Sequence, residues 1–244
     1  MGNTIRSQQS LLILSGQSWN KHMDHRLSNR LNRKVEIIDS PADLKIESIE
    51  AINPRWIFVP HWSHWIPKEI WGRWSTVIFH MTDLPYGRGG SPLQNLIKRG
   101  HQSTIVSALR CSQELDEGDI YLKEELQLYG SAEEIYLRAN DIIENMIEKI
   151  VIDEPAAVPQ KGKITEFKRR TPKQSNLDNC PPGDISAWYD HIRMLDAEGY
   201  PHAFLDVQGM NITFRRVSIR SDGLHADVII KPCADNIGNE DMEK

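Results

Sequence analysis

Val77-Ile-Phe-His-Met-Thr-Asp-Leu-Pro-Tyr-Gly-Arg-Gly-Gly-Ser-Pro92 begins as an apolar run of β type and closes it on a single histidine, His80. The chain then turns through Pro85 and Gly87, passes the pair Gly89-Gly90, and enters an amphipathic segment at Pro92 with Leu93, Leu96 and Ile97 at helical spacing. A buried strand that ends in a polar side chain and a glycine-rich turn is where open α/β sheets bind ligands, beyond the carboxyl ends of their strands. The rest of the chain can be placed around that crevice.

The same alternation recurs upstream. Leu11-Leu-Ile-Leu14 followed by Ser15-Gly16-Gln17 reads as a buried strand and its turn, Val35 to Asp39 as a second strand, and Trp56-Ile-Phe-Val59 as a third. Val77 to Phe79 is the fourth. The connectors are of helical type, with Leu27 and Leu31 at i, i+4 in one and Leu44, Ile46, Ile49 and Ile52 in another. Strands alternating with helices predict an α/β fold with a mainly parallel sheet covered on both faces.

Between the third and fourth strands, His61-Trp-Ser-His-Trp-Ile-Pro67 is dense in imidazoles and indoles. Two histidines three apart could hold a metal, but no third ligand lies at a suitable spacing, and the expectation is that no metal is bound. The tryptophans read as packing residues or as an apolar wall for a flat ligand. Downstream, Thr104 to Leu109 predicts a strand, Leu115-Asp-Glu-Gly-Asp119 an acidic turn, and Ile120-Tyr-Leu a further strand. Ser131-Ala-Glu-Glu134 is a capping box opening a helix to about residue 152. The Pro/Ala-rich stretch from Asp153 to Pro159 places a domain boundary near 153.

The expected organisation is therefore a large domain over 1–152, a small one over 153–232, and a flexible acidic tail over 233–244. The small domain carries the basic run Lys168-Arg-Arg170, which could meet a phosphorylated substrate. It continues with a helix from Ile185 to Leu195 and a hairpin of Ala203–Val207 with Asn211–Arg215 around Gln208-Gly-Met. Ala226 to Ile230 is one more strand, which makes this a small mixed β region.

Bulk properties narrow the function classes. The 244 residues carry a formal net charge of −5, which argues against a nucleic-acid partner. Three cysteines, Cys111, Cys180 and Cys233, without a CxxC, suit a reducing compartment. No apolar run approaches the ~18 residues of a membrane span, and the N-terminus lacks an apolar leader core. A cytoplasmic enzyme with small-molecule substrates is expected, compatible with a homodimer.

One constellation is more specific than any of these. His80-x4-Pro85-x2-Arg88-Gly89-x2-Pro92, followed by Leu115-Asp116-x-Gly118-Asp119, resembles the formyltransferases that use 10-formyltetrahydrofolate. That family includes methionyl-tRNA formyltransferase and enzymes that N-formylate amino sugars on nucleotide carriers. Asp116 follows His80 by 36 residues (116 − 80), the family's register without insertion. Phe167-Lys-Arg-Arg-Thr-Pro172, Ile192-Arg193, Tyr200-Pro201 and Ala203-Phe204 resemble its C-terminal region.

The resemblance implies a Rossmann-like formyltransferase domain, 10-formyltetrahydrofolate as formyl donor, and His80 and Asp116 as the catalytic pair. His80 would act as base and oxyanion stabiliser, with Asp116 as its partner. It also implies a donor site along His64, Trp65, Ile66, Arg88, Gly89, Gln113 and Leu115, with Lys168 and Arg169 toward the acceptor. One position departs from the pattern. The family's catalytic asparagine stands two residues before the histidine, where this chain has Ile78, an apolar side chain with no amide to steady charge on the formyl oxygen. Thr82, Gln94 and Asn95 are the nearest polar substitutes in sequence. The leading expectation is an N-formyltransferase acting on an amino sugar carried on a nucleotide. The alternatives are a methionyl-tRNA formyltransferase-like enzyme and a folate-binding module with weakened catalysis.

Overall fold

A computed structural model describes residues 9–233; the expected acidic tail lies, apart from Cys233, outside that range. The chain divides into two compact units that interleave along the sequence.

The first unit takes residues up to 92, 103–127 and 136–167. Its sheet is built from β1 (Leu11–Leu14), β2 (Val35–Ile38), β3 (Trp56–Pro60), β4 (Ser75–His80), β6 (Ser103–Arg110) and β7 (Ile120–Gln127), in the order β2-β1-β3-β4-β6-β7. The first four strands are mutually parallel, as their apolar runs and helical connectors predict. β1 and β3 are buried along their whole length, which is why they read as continuous apolar runs rather than as alternation. β6 and β7 run antiparallel, so the sheet is mixed at that side.

Helices cover the parallel part. α1 (Met23–Leu31) buries Met23 and Leu27, and α2 (Ile46–Ile52) buries Ile49. Leu12, Leu14, Ile38, Ile49, Ile57, Val59, Ile66, Ile70 and Cys111 form one continuous apolar cluster on this sheet. The long helix Ala132–Asp153 lays Ile143, Met146, Ile147 and Ile150 into the core. Its buried Glu144 accepts from Arg26 Nε at 2.9 Å.

Two features differ from the sequence expectation. The glycine-rich segment after His80 is a short strand, β5 (Tyr86–Gly89), paired in parallel with β8 (Thr165–Phe167). Gly89 has φ +100°, and a Cβ there would lie 2.5 Å from the Phe167 carbonyl oxygen, so glycine is what lets the two backbones meet. The Pro/Ala stretch 153–159, expected as a linker, stays with the first unit. Val158 and Ile120 exchange two backbone hydrogen bonds of 2.8 and 2.9 Å, and the division between units falls after Phe167.

The second unit takes 93–102, 128–135 and residues from 168 onward. It holds the helix Ile185–Arg193 and a wholly antiparallel sheet of β9 (Phe204–Val207), β10 (Met210–Arg220) and β11 (Gly223–Pro232), in the order β11-β10-β9. The two upstream segments belong here because buried polar groups tie them in. Arg193 donates to the Leu128 and Gly130 carbonyls at 2.6 and 3.0 Å, and Gln94 donates to the Met194 carbonyl at 3.1 Å. The capping box at Ser131 and Glu134 is made in both directions, at 2.7 and 3.3 Å. Among the described residues, no helix is long and apolar enough to cross a membrane.

Candidate active site

β4 delivers His80 as its last residue, 7 % exposed, at the carboxyl end of the sheet. His80 Nε2 lies 2.8 Å from the carbonyl oxygen of Gly87, the turn glycine after Pro85. A carbonyl only accepts, so Nε2 carries the hydrogen and, in the neutral ring, Nδ1 carries the lone pair. Thr82 Oγ1 donates to the same carbonyl at 3.3 Å, and Ser107 Oγ holds the Thr82 carbonyl at 2.7 Å. The imidazole is thus seated on a hydrogen-bonded turn.

Asp116 comes from the loop between β6 and β7 and is 6 % exposed. Its Oδ2 is 3.5 Å from His80 Nδ1 and accepts from the Gly89 backbone N–H at 2.9 Å. The 3.5 Å separation is long for a direct hydrogen bond and short enough to close when a substrate is held. Asp116 itself has φ +56°, a left-handed conformation that costs an L-residue roughly 1–2 kcal/mol. Surrounding contacts hold it there. Gln160 Nε2 donates to the Asp116 carbonyl at 2.7 Å and to the Gly118 carbonyl at 2.9 Å. Gln160 Oε1 accepts from Arg88 Nη2 at 2.9 Å, and Arg88 Nη1 meets Glu117 at 2.5 Å.

The sequence-derived residues fall into distinct groups. The structure brings together His80, Asp116, Gly89 and Arg88, with Arg88's guanidinium engaged by Glu117 and Gln160. Ile66 sends its side chain into the core cluster, so only its main chain is free to serve a ligand. Trp65 and Leu115 are 64 % and 59 % exposed, and His64 and Gln113 are exposed as well. The main chains of His64, Trp65 and Ile66 make no hydrogen bond among the described residues. Lys168 and Arg169 are exposed and belong to the second unit.

His61 differs from its neighbour in the histidine pair. It packs edge-on against Trp19 and Tyr136, and burial pushes its pKa down to about 4. His64 is exposed and lies against Trp62. Among the described residues, no group of three or more His, Cys, Asp or Glu side chains could hold a metal ion.

Ile78 shares the His80 face of β4, two residues earlier, and packs against Leu84, Leu109 and Ile120. The substitutes considered from sequence are committed elsewhere: Thr82 to Gly87, Gln94 to Met194, and Asn95 to the Lys168 carbonyl at 3.1 Å. Sequence reasoning missed Gln160, Glu117 and the Gly87 carbonyl. Gln160 sits in a stretch that reads as a polar linker, and no local signal marks it.

Comparison with known proteins adds a second line of evidence. Residues 172–231 match the family model of the methionyl-tRNA formyltransferase C-terminal domain. A solved methionyl-tRNA formyltransferase from Clostridium thermocellum is 42 % identical, with a TM-score of 0.88, over 92 % of this chain and 100 % of that one. A curated methionyl-tRNA formyltransferase from Mesoplasma florum is 23 % identical over 188 residues, 74 % of this chain and 59 % of the relative. The chain spans about half the length of the curated relatives it matches. A sugar N-formyltransferase from Shewanella shares the fold, at 15 % identity and a TM-score of 0.62, over 92 % of this chain and 97 % of that one.

Proposed function

The chain belongs to the formyltransferase family, and from that premise we propose that it moves a formyl group from 10-formyltetrahydrofolate to a primary amine at His80 and Asp116. The observation that carries this reading is the buried pair itself, an imidazole with Nε2–H fixed on Gly87 and Nδ1 turned to a carboxylate. The donor supplies a formyl group already activated on an amine. As the amine bonds to the formyl carbon and that carbon's bond to the donor nitrogen breaks, His80 takes at Nδ1 the proton the amine loses, the Asp116 carboxylate offsets the imidazolium charge, and the departing tetrahydrofolate nitrogen ends with that proton. Burial of both side chains strengthens that interaction by excluding water. The main chain of 64–66, without internal hydrogen bonds, and the exposed Trp65 and Leu115 suit a flat heterocycle that needs backbone partners and apolar walls.

For the acceptor, the reading with most support is the α-amine of methionyl-tRNA. The likeness to the Clostridium thermocellum protein extends over that whole chain, and the second unit matches a methionyl-tRNA formyltransferase domain. Arg215 and Arg220 are exposed on β10, and Arg216 there is paired with Asp227; exposed arginines of this kind can meet phosphates. A nucleotide-linked amino sugar is the second reading, favoured by the net charge of −5. The test offers 10-formyltetrahydrofolate with methionyl-tRNA in one arm and a panel of nucleotide-linked amino sugars in the other, following mass gain by one formyl group. Formylation of methionyl-tRNA is expected. Gain only in the sugar panel transfers the assignment to the second reading, and gain in neither overturns formyl transfer.

Ile78 bears on the rate. Ile78→Asn places an amide among Leu84, Leu109 and Ile120, at a cost of about 1–3 kcal/mol if it stays unpaired. The expected result is a lower melting temperature and no gain in single-turnover rate at matched donor saturation. A large gain would mean that the wild-type site lacks an oxyanion donor that asparagine supplies.

A further inference from the structure

We propose that Gln160 is a positioning residue for the catalytic pair: its side-chain amide holds the Asp116 loop in the left-handed turn that aims the carboxylate at His80. The inference deepens the reading above and rests on it for the role of Asp116.

The contacts act on two sides of one residue. On its main-chain side, Asp116 gives its carbonyl to Gln160 Nε2 at 2.7 Å, and the same amide takes the Gly118 carbonyl at 2.9 Å. On its side-chain side, Oδ2 accepts from Gly89 N–H and faces His80 Nδ1. With φ at +56°, Asp116 would relax toward an extended or right-handed backbone if the carbonyls were released, swinging the carboxylate away. Gln160 reaches the loop from a segment 44 residues away in sequence, and its own oxygen is held by Arg88 Nε and Nη2 at 3.3 and 2.9 Å. Arg88 also takes Glu117, so both hydrogen-bonding ends of Gln160 are used and the loop is held at three consecutive residues. The Gln160 side chain hydrogen-bonds to neither His80 nor the Asp116 carboxylate, which makes its action indirect.

The test uses the full chain carrying Gln160→Met, which keeps the length and removes both amide functions at a half-buried position. Gly89 N–H reports on Asp116 directly, because that carboxylate is its acceptor. Amide exchange at Gly89, read by NMR without any substrate, is expected to speed up at least ~10-fold, with Leu12 and Phe58 in the core unchanged. Unchanged Gly89 exchange overturns the proposal, and a uniform rise at all three amides reassigns Gln160 to general stability.

Turnover is expected to fall ~10–100-fold with the donor KM nearly constant, the scale of a misplaced catalytic group. In an Asp116→Asn background, Gln160→Met is expected to cost less than ~2-fold more, since there is no aspartate left to position. Full multiplication of the two losses overturns the indirect role. Gln160→Glu separates the two ends of the side chain: it keeps an acceptor for Arg88 but has no donor for the loop carbonyls. It is expected to behave like Gln160→Met, and wild-type turnover would shift the role to Arg88. Because the exchange arm needs no acceptor, its outcome stands even where methionyl-tRNA is not formylated.

Discussion

His80→Ala and Asp116→Asn each lower formyl transfer by about 10²–10⁴-fold while 10-formyltetrahydrofolate still binds, the range for a lost general acid–base group. The expectation comes from the pairing itself. His80 is the only imidazole placed against a buried carboxylate in the first unit's described residues, and Asp116 reaches it with one oxygen at 3.5 Å. The asparagine variant is the sharper of the two. It preserves an oxygen for the Gly89 N–H and the shape of the side chain, removes the charge that offsets an imidazolium at Nδ1, and turns the other carboxylate oxygen into an N–H donor. Its melting temperature should match that of the wild type. Single-turnover rates at saturating donor, with donor affinity measured separately by fluorescence titration, decide the matter. Near-normal turnover in either variant would withdraw the role given to that residue.

Gly118→Ala is expected to have an effect of similar size by a different route. A Cβ at Gly118 would stand 1.7 Å from the Arg110 carbonyl oxygen and 2.8 Å from its carbonyl carbon. Both are backbone atoms, so no rotamer change can make room. The same neighbourhood closes the β6–β7 connection, where Arg110 N–H donates to the Asp119 carbonyl at 2.8 Å. The loop must therefore move by about an ångström, and a displacement of that size at a catalytic group is worth ~10²-fold in rate. Overpacking of this kind also costs about 1–3 kcal/mol of stability. Thermal melting and the formylation rate together check the expectation. A variant that melts and turns over like the wild type would show that the close approach of the two backbones does not exist.

The two predictions draw on different sources. The pairing of His80 with Asp116 was expected from the resemblance of the His80–Pro92 and Leu115–Asp119 stretches to the formyltransferase pattern, and the structure sets the two side chains 3.5 Å apart. The steric role of Gly118 was not expected. Only the distance to Arg110, the last residue of the preceding strand, explains why the turn needs a glycine at that place rather than any other small residue.

The sequence by itself determined the elements that depend on local pattern. β1, β3 and β4 follow from apolar runs long enough for a strand and too short for a helix, and the long helix follows from its period and its capping box. The hairpin of β9 and β10 follows from the Gln208-Gly209 turn, where both residues have positive φ. Tertiary structure alone decided what depends on partners. Apolar periodicity reports that a face is buried and is silent on which strand lies beside it, so the antiparallel placement of β6 and β7 and the pairing of β5 with β8 were not legible. Nor was Gln160, because a hydrogen bond across 44 residues leaves no trace in the composition around either end. The left-handed turn of Asp116 belongs to the same class: it is held by long-range contacts, and the local sequence carries only the residue that is able to adopt it.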